Sequence, residues 1–211
     1  MGVKIENAYI LKSFTINEAD KVIVVLNEKG EKLSLIAKNG ARIKSRFQGK
    51  LEPFSFVKLE YFDSGKSGLK PLNSVEVSKN LQSFIKGDMK KFLAFSFVNE
   101  VIDAFVYEKE RNPRIFRLLK HIVDCLENGV GLKDAITYFS LWILKLSGIM
   151  PDVKNPDLSD EDIKCVQDIF KTPLDKLGCS ISEKLFLFAI EKIFTSSNKD
   201  FKSFSMLKEF L

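Results

Sequence analysis

From Lys32 to Leu51 the sequence holds six cations, Lys32, Lys38, Arg42, Lys44, Arg46 and Lys50, and no acidic residue. Such a run suits a polyanion, because each cation that neutralises a phosphate releases a condensed counterion. Gly40 and Gly49 bracket the core of the run and predict close approach of backbone to a ligand. Tyr9, Phe14, Phe47, Phe54 and Phe56 lie on or near the same region and are candidates for stacking on bases. The bland reading is a solvated loop with its aromatics in a core, and the residues alone leave both open. Of the 33 basic residues only five are Arg, placed as Arg42 with Arg46 and then Arg111, Arg114 and Arg117. Where Lys is the default cation, Arg points to planar, bidentate contact with phosphate or carboxylate. The second cluster opens a helix, where cations oppose the helix dipole. Pairing with Glu108 and Glu110 is the plain alternative there.

The sequence carries no complete motif for other chemistry. Gly65-Lys66-Ser67 ends like a phosphate-binding loop, but Glu60 stands where the leading glycine belongs. The segment also joins strand to strand, so a hairpin loop is expected. His121, the single histidine, is expected at the surface without Cys, Asp or Glu at ligand spacing. No G-x-S-x-G nucleophile elbow occurs. The acidic run Asp160-Glu161-Asp162 suits a helix N-terminus without a metal. Cys125, Cys165 and Cys179 lack zinc-finger spacing, and their odd number fits a reducing compartment better than a disulfide framework. No catalytic residue, no metal site and no cofactor are expected, and the chain is not expected to be an enzyme.

The cations need a scaffold, and the charge is divided to suit one. Residues 1–80 carry 14 basic against 9 acidic residues, while residues 81–211 carry 19 of each. The whole excess of +5 therefore lies in the first part. That part reads as about five short strands: Ala8 to Phe14, Val22 to Leu26, Leu33 to Ala37, Val57 to Phe62 and Leu72 to Val77. The second ends at Asn27-Glu28-Lys29-Gly30, a turn whose glycine supplies positive φ. Five strands without a long helix predict a small closed barrel, of which the OB-fold is the commonest, although composition alone does not exclude an SH3-like barrel.

After about residue 80 the apolar period becomes helical. A stripe runs from Leu81 through Phe105, and Asn112 caps a helix with Pro113 at its first position. A further helix is expected from Leu132 to Ser147, ended by Gly148. Ser159 with Asp162, and Ser180 with Glu183, resemble capping boxes for two more. Fourteen of the 19 phenylalanines lie beyond residue 80, which predicts an aromatic-rich bundle. The expected architecture is α+β in two parts: an OB-fold barrel over 1–80 and an all-α helical domain over 81–211. No apolar run reaches the 18 or so residues of a membrane span. Lys4, Glu6 and Lys12 interrupt any signal peptide, so a soluble intracellular protein is expected.

Ordered pieces of the sequence resemble the RecO family of bacterial recombination mediators. The pieces are Glu18-Ala19-Asp20-Lys21, Gly40-Ala41-Arg42, Lys44-Ser45-Arg46 and Leu51-Glu52-Pro53-Phe54-Ser55. Asn112-Pro113 with Phe116, Leu118 and Leu119 follow, then Leu144, Leu146, Gly148 and Pro151. The resemblance covers residues 5 to about 153, and Phe201 to Leu211 match the family's closing helix more loosely. It implies a cytoplasmic, nucleoid-associated DNA repair protein without enzymatic activity. Such a protein binds single- and double-stranded DNA and promotes strand annealing. With RecR it loads RecA onto strands coated by single-stranded DNA-binding protein, whose acidic tail it recognises. On this reading Lys38, Arg42, Lys44, Arg46 and Lys50 are the DNA-binding residues, and Arg111, Arg114 and Arg117 are candidate contacts for an acidic partner. Many members carry a four-cysteine zinc site shortly after the position of Pro151. Here Lys154-Asn155-Pro156-Asp157 follows instead, so zinc is not implied. The competing expectation is a sequence-independent OB-fold RNA binder, with a peptide-binding scaffold as a third.

Overall fold

The computed structural model describes residues 2–108, 110–152 and 158–210. Five strands carry the first part: β1 (Gly2–Ile16), β2 (Asp20–Asn27), β3 (Lys32–Ala37), β4 (Ser55–Asp63) and β5 (Lys70–Asn80). They close into a barrel in the order β1-β2-β3-β5-β4, with β3 and β5 parallel and the other pairs antiparallel. That order is the OB-fold. Closure rests on a long β1. Its first half, from Gly2 to Tyr9, pairs with β4, its second half pairs with β2, and the register shifts between Ile10 and Lys12. A bulge bends a strand in this way, so one strand can serve both sides of a closed sheet.

β1 begins six residues before the expected start because its polarity is inverted. Val3 and Ile5 are exposed, while Glu6 is buried. Glu6 accepts hydrogen bonds from Asn27 Nδ2 (2.8 Å) and Tyr61 Oη (3.0 Å) and pairs with Lys29 (2.5 Å). Burial pushes the Glu6 carboxyl up, but the bonds from Lys29, Asn27 and Tyr61 outweigh it and hold it below its usual value. The rest of the barrel interior is apolar, with Ile10, Ile23, Val25, Leu35, Val57, Leu59 and Leu72 among its members.

The chain divides into two compact units, Met1–Gly87 with Val106–Phe116 and Asp88–Phe105 with Arg117–Leu211. Gly30, at φ +73°, shows how Val106–Phe116 belongs to the first: a Cβ there would lie 1.9 Å from the Asn112 carbonyl oxygen. The first unit also holds the short helix α1 (Gln82–Ile85). Gly87, at φ +82°, separates it from α2 (Met89–Phe105), so the single stripe read from sequence is two helices.

α3 (Pro113–Glu127) starts as expected, with Asn112 Oδ1 accepting the Arg114 N–H at 3.2 Å. The remaining helices are α4 (Leu132–Leu146), α5 (Asp160–Ile169), α6 (Glu183–Ser197) and α7 (Lys202–Leu207), with a 3-10 turn at Leu174–Lys176. Phe97, Phe194, Phe201 and Phe204 form an aromatic cluster with ring centroids 5.1–5.7 Å apart.

The capping box of Ser159 and Asp162 is present on α5. α6 is capped by Ser182 rather than Ser180, through the Leu185 N–H. Ser182 Oγ also donates to Asp162 Oδ1 at 2.6 Å, so one buried carboxylate serves both helix starts. Cys165 and Cys179 are bonded to each other, with Cα atoms 5.6 Å apart. This corrects the reading of three unpaired thiols. A separation of 14 residues says nothing of distance until the chain turns back at residues 174–176. No described helix is long and apolar enough to cross a membrane.

Gly30→Ala should destabilise the first unit by at least about 2 kcal/mol, because it adds left-handed strain to a clash with backbone. Urea unfolding followed by a barrel-specific probe measures the loss.

Candidate nucleic-acid interface

The basic run is the connection from β3 to β4, and its cations are presented rather than buried. Lys38, Arg42, Lys44, Arg46 and Lys50 are all exposed. Phe47, among them, and Leu51, just after the last, enter the barrel core at 2% and 1% exposure. Each such burial contributes about 1.5–3 kcal/mol, which is why the segment follows the barrel instead of waving in solvent. Successive turns fill the rest: Arg42 N–H donates to Asn39 O, Ser45 N–H to Arg42 O, Gln48 N–H to Ser45 O and Lys50 N–H to Phe47 O, at 3.0–3.2 Å.

The root of the segment is tied to the β1–β2 turn. Ala41 N–H donates to Ala19 O (2.8 Å) and Asn39 N–H to Asp20 Oδ1 (2.7 Å). Gly40 is buried here, and a Cβ on it would meet Ala37 O at 2.9 Å and Lys21 Cβ at 3.1 Å. Its missing side chain therefore serves packing against the protein's own strands. The expectation that it opens space for a ligand is corrected.

The five aromatics separate clearly. Tyr9, Phe47 and Phe54 are buried. Phe56 is half-buried against Tyr9 and Phe116, with centroids at 4.9 and 6.1 Å. Phe14 alone is exposed, at 48%. It stands across from Val22, which pairs with Ile36, so the three form a row on the outer face of β1, β2 and β3. Phe14 lies two positions from the end where Ile16 meets Asp20, the end at which the basic segment is rooted. An exposed ring near the strand end from which the cations are carried can stack a base while its phosphates are neutralised.

Ile43 was missed by sequence reasoning. It is 85% exposed and lies between Arg42 and Lys44. Its only sequence signal was an apolar residue inside a run of cations.

The two arginine clusters are not brought together. The basic segment leaves the end of β3 and enters the start of β4, whereas Arg111 sits with the start of β3 and the end of β4. There it lines a cleft of about 340 Å³ with Lys4, Glu31, Asp63 and Lys70. Arg111 Nε is 3.6 Å from Glu31, in place of the expected Glu108 or Glu110. Asp63 pairs with Lys4 and with Lys70 (2.6 Å) and accepts the Gly65 N–H (2.9 Å). The bonds from Lys4, Lys70 and the Gly65 amide hold its carboxyl far below the usual range. Here Lys4 and Lys70 share the Asp63 carboxylate and Arg111 meets Glu31, although the lining keeps five cations, Lys4, Lys32, Lys66, Lys70 and Arg111, against three acids. Gly65-Lys66-Ser67 borders it as a strand-to-strand loop, as expected. Arg114 and Arg117 are exposed on α3, the first counted with the barrel unit and the second with the helical unit.

Two family models match the chain: "Recombination protein O N terminal" over residues 1–81 and "Recombination protein O C terminal" over residues 86–165. The chain belongs to the RecO family. It is 29% identical over 183 residues to the DNA repair protein RecO of Koribacter versatilis, covering 87% of this chain and 74% of that one. The RecO of Caldanaerobacter subterraneus subsp. tengcongensis is 31% identical over 146 residues, covering 68% and 58%. That of an Anaeromyxobacter species is 28% identical over 142 residues, covering 67% and 56%. Against these last two relatives the chain spans less than two thirds of their length.

The four-cysteine zinc site of many RecO proteins does not fit this chain. It has three cysteines, of which Cys165 and Cys179 are joined. The segment Lys154 to Asp157 that replaces it lies outside the described residues.

A different cluster corrects the expectation for His121. Cys125 Sγ is 3.6 Å from its Nε2 and Asp175 Oδ1 is 3.8 Å away, and the three donor atoms lie within 4.8 Å of one another. Cys125 was one helical turn along, but Asp175 reaches the pair only through the tertiary fold. His121 Nε2 accepts the Leu174 N–H at 3.1 Å, and burial pushes the Cys125 thiol up. As it stands, the histidine fastens the 3-10 turn to α3.

Asp63 has a depressed pKa, so its contribution to stability is complete above the unfolded carboxylate value and is lost as pH falls below it. Wild-type stability should therefore fall more steeply below about pH 4 than that of Asp63→Asn. Parallel urea titrations between about pH 7 and 3 test this.

Proposed function

We propose that this RecO-family chain is a DNA-binding mediator of repair and recombination that has no enzymatic activity. The observation that carries the reading is the set of five exposed cations on a segment anchored in the barrel, at the end that also exposes Phe14. Phosphate contacts from Lys38, Arg42, Lys44, Arg46 and Lys50 hold single- or double-stranded DNA without reading sequence. Phe14 stacks a base, which favours single strands because their bases are free to splay. Strand annealing follows from holding strands by their backbones with base edges left open.

Its relatives bear the name of DNA repair proteins, which favours DNA over the competing RNA reading. RecR, RecA through RecR, and the acidic tail of single-stranded DNA-binding protein complete the proposal as partners. Arg114 and Arg117 are the contacts offered to that tail, and Arg111 joins them if its pair with Glu31 exchanges. Exposed pairs of this kind contribute little, so exchange costs little. The site of action is the cytoplasm, at the nucleoid, with no membrane partner.

If four or five cations engage phosphates, log K on single strands should fall with log salt at a slope of about −3 to −3.5. Arg42→Glu with Arg46→Glu should weaken binding to every sequence alike and flatten that slope. Its unfolding free energy should stay within about 0.5 kcal/mol of wild type, since exposed loop charges contribute little. A folded double mutant with wild-type affinity at moderate salt would place the DNA elsewhere. Annealing of complementary DNA strands separates this function from RNA binding. A pull-down with single-stranded DNA-binding protein, with and without its acidic tail, tests the partner.

The proposal includes no resident metal, because His121 Nε2 is already engaged and the cysteines offer no four-ligand set. Elemental analysis after dialysis should find well under one zinc per chain. A stoichiometric value would overturn this part.

A further inference from the structure

We propose that Ile43 is an apolar wedge that enters the base stack of DNA held by the basic segment. The inference rests on the DNA-binding function proposed above and assigns a second activity, local unstacking, to the same site.

Ile43 is the most exposed of the large apolar side chains described, at 85%. It occupies a turn in which the Arg42 carbonyl accepts the Ser45 N–H at 3.0 Å, so Ile43 and Lys44 are the two central residues. Such positions ordinarily take Pro, Gly, Asn, Asp or Ser, whose backbone or side-chain chemistry supports a turn. A β-branched apolar residue offers the turn nothing of that kind.

The turn is held in place from both sides. Asn39 and Ala41 are bonded to the β1–β2 turn before it, and Phe47 and Leu51 are buried in the barrel after it. Arg46 adds a cation–π contact, its guanidinium carbon 4.8 Å from the Phe47 ring centroid. Ile43 is therefore carried by a supported element that does not collapse onto its own core.

The surroundings select the occupant. Arg42, Lys44 and Arg46 flank the side chain, and no acid lies between Lys32 and Leu51. A partner must combine dense negative charge outside with an apolar interior within reach of one side chain. DNA meets both demands, with phosphates for the cations and the gap between stacked bases for the isoleucine. Proteins that unstack DNA insert Phe, Leu, Ile, Met or Pro in this way beside Arg and Lys.

The test uses the full chain and DNA carrying 2-aminopurine, whose fluorescence rises when stacking on its neighbours is lost. Wild type should raise the signal about two-fold or more on saturation. Ile43→Ser should bind single strands within about three-fold of wild type, with the same salt slope, and lose most of that rise. Ile43→Phe, which keeps an apolar wedge, should retain it. Circular dichroism checks that both variants stay folded. An Ile43→Ser protein that binds and still gives the full rise would overturn the wedge while leaving the DNA-binding function intact. A wild-type protein that binds no DNA would overturn both.

Discussion

The burial of Phe47 and Leu51 in the barrel is the interaction on which the candidate site depends. Between Lys38 and Lys50 the chain has neither strand nor helix and carries five like charges, which repel one another. Without apolar anchors such a segment would expand into solvent and present no defined surface. These two side chains, set into the core that closes the barrel, fix the far end of the charged segment, and the bonds of Asn39 and Ala41 to the β1–β2 turn fix its start. Repulsion among the cations is thereby stored in a form that a polyanion relieves. Gly40 matters for the same reason, since any side chain there would push the root of the segment off β2 and β3.

Charge is sorted along the barrel axis. At the end where β3 finishes and β4 begins, acids are few, and two of them are engaged. Asp20 accepts a backbone N–H from Asn39, and Glu52 pairs with Lys21 at 3.1 Å. At the opposite end Lys4, Lys70 and Arg111 are met by Asp63 and Glu31. Among the described residues, Lys38, Arg42, Lys44, Arg46 and Lys50 at the first end have no carboxylate partner, whereas Lys4, Lys70 and Arg111 at the second are paired. Net charge is therefore a poor guide to the interface, and the pairing pattern is the better one.

The helical unit uses polar groups differently, to fix how segments start and turn. Asp162 gathers Ser159 and Ser182, so two helix N-termini share one buried acceptor. Burial pushes that carboxyl up, but the hydroxyls of Ser182 and Ser159 and the Ser159 N–H hold it below its usual value. His121 does related work for the turn at Leu174. These bonds position backbone.

Local information in the chain was enough for the parts whose signal repeats within a few residues. Alternation marked strands β3 and β4, a β-branched run marked β2, a 3.6-residue period marked the helices, and Asn112-Pro113 and Ser159 with Asp162 marked two helix starts correctly. The absence of acids around Arg42 and Arg46 was visible for the same reason. What failed depended on residues far apart in the chain. The first half of β1 was hidden because a buried Glu6 needs Asn27, Lys29 and Tyr61, which only barrel closure supplies. Which of five aromatics stays exposed was settled by what covers it: Phe56 packs on Tyr9 at 4.9 Å, while Phe14 keeps 48% exposure. Arg111 meeting Glu31, Asp175 meeting His121, and Cys165 meeting Cys179 are contacts between residues 14 to 80 positions apart. No periodicity reports such distances, because side-chain patterns record which face is buried and not what it is buried against.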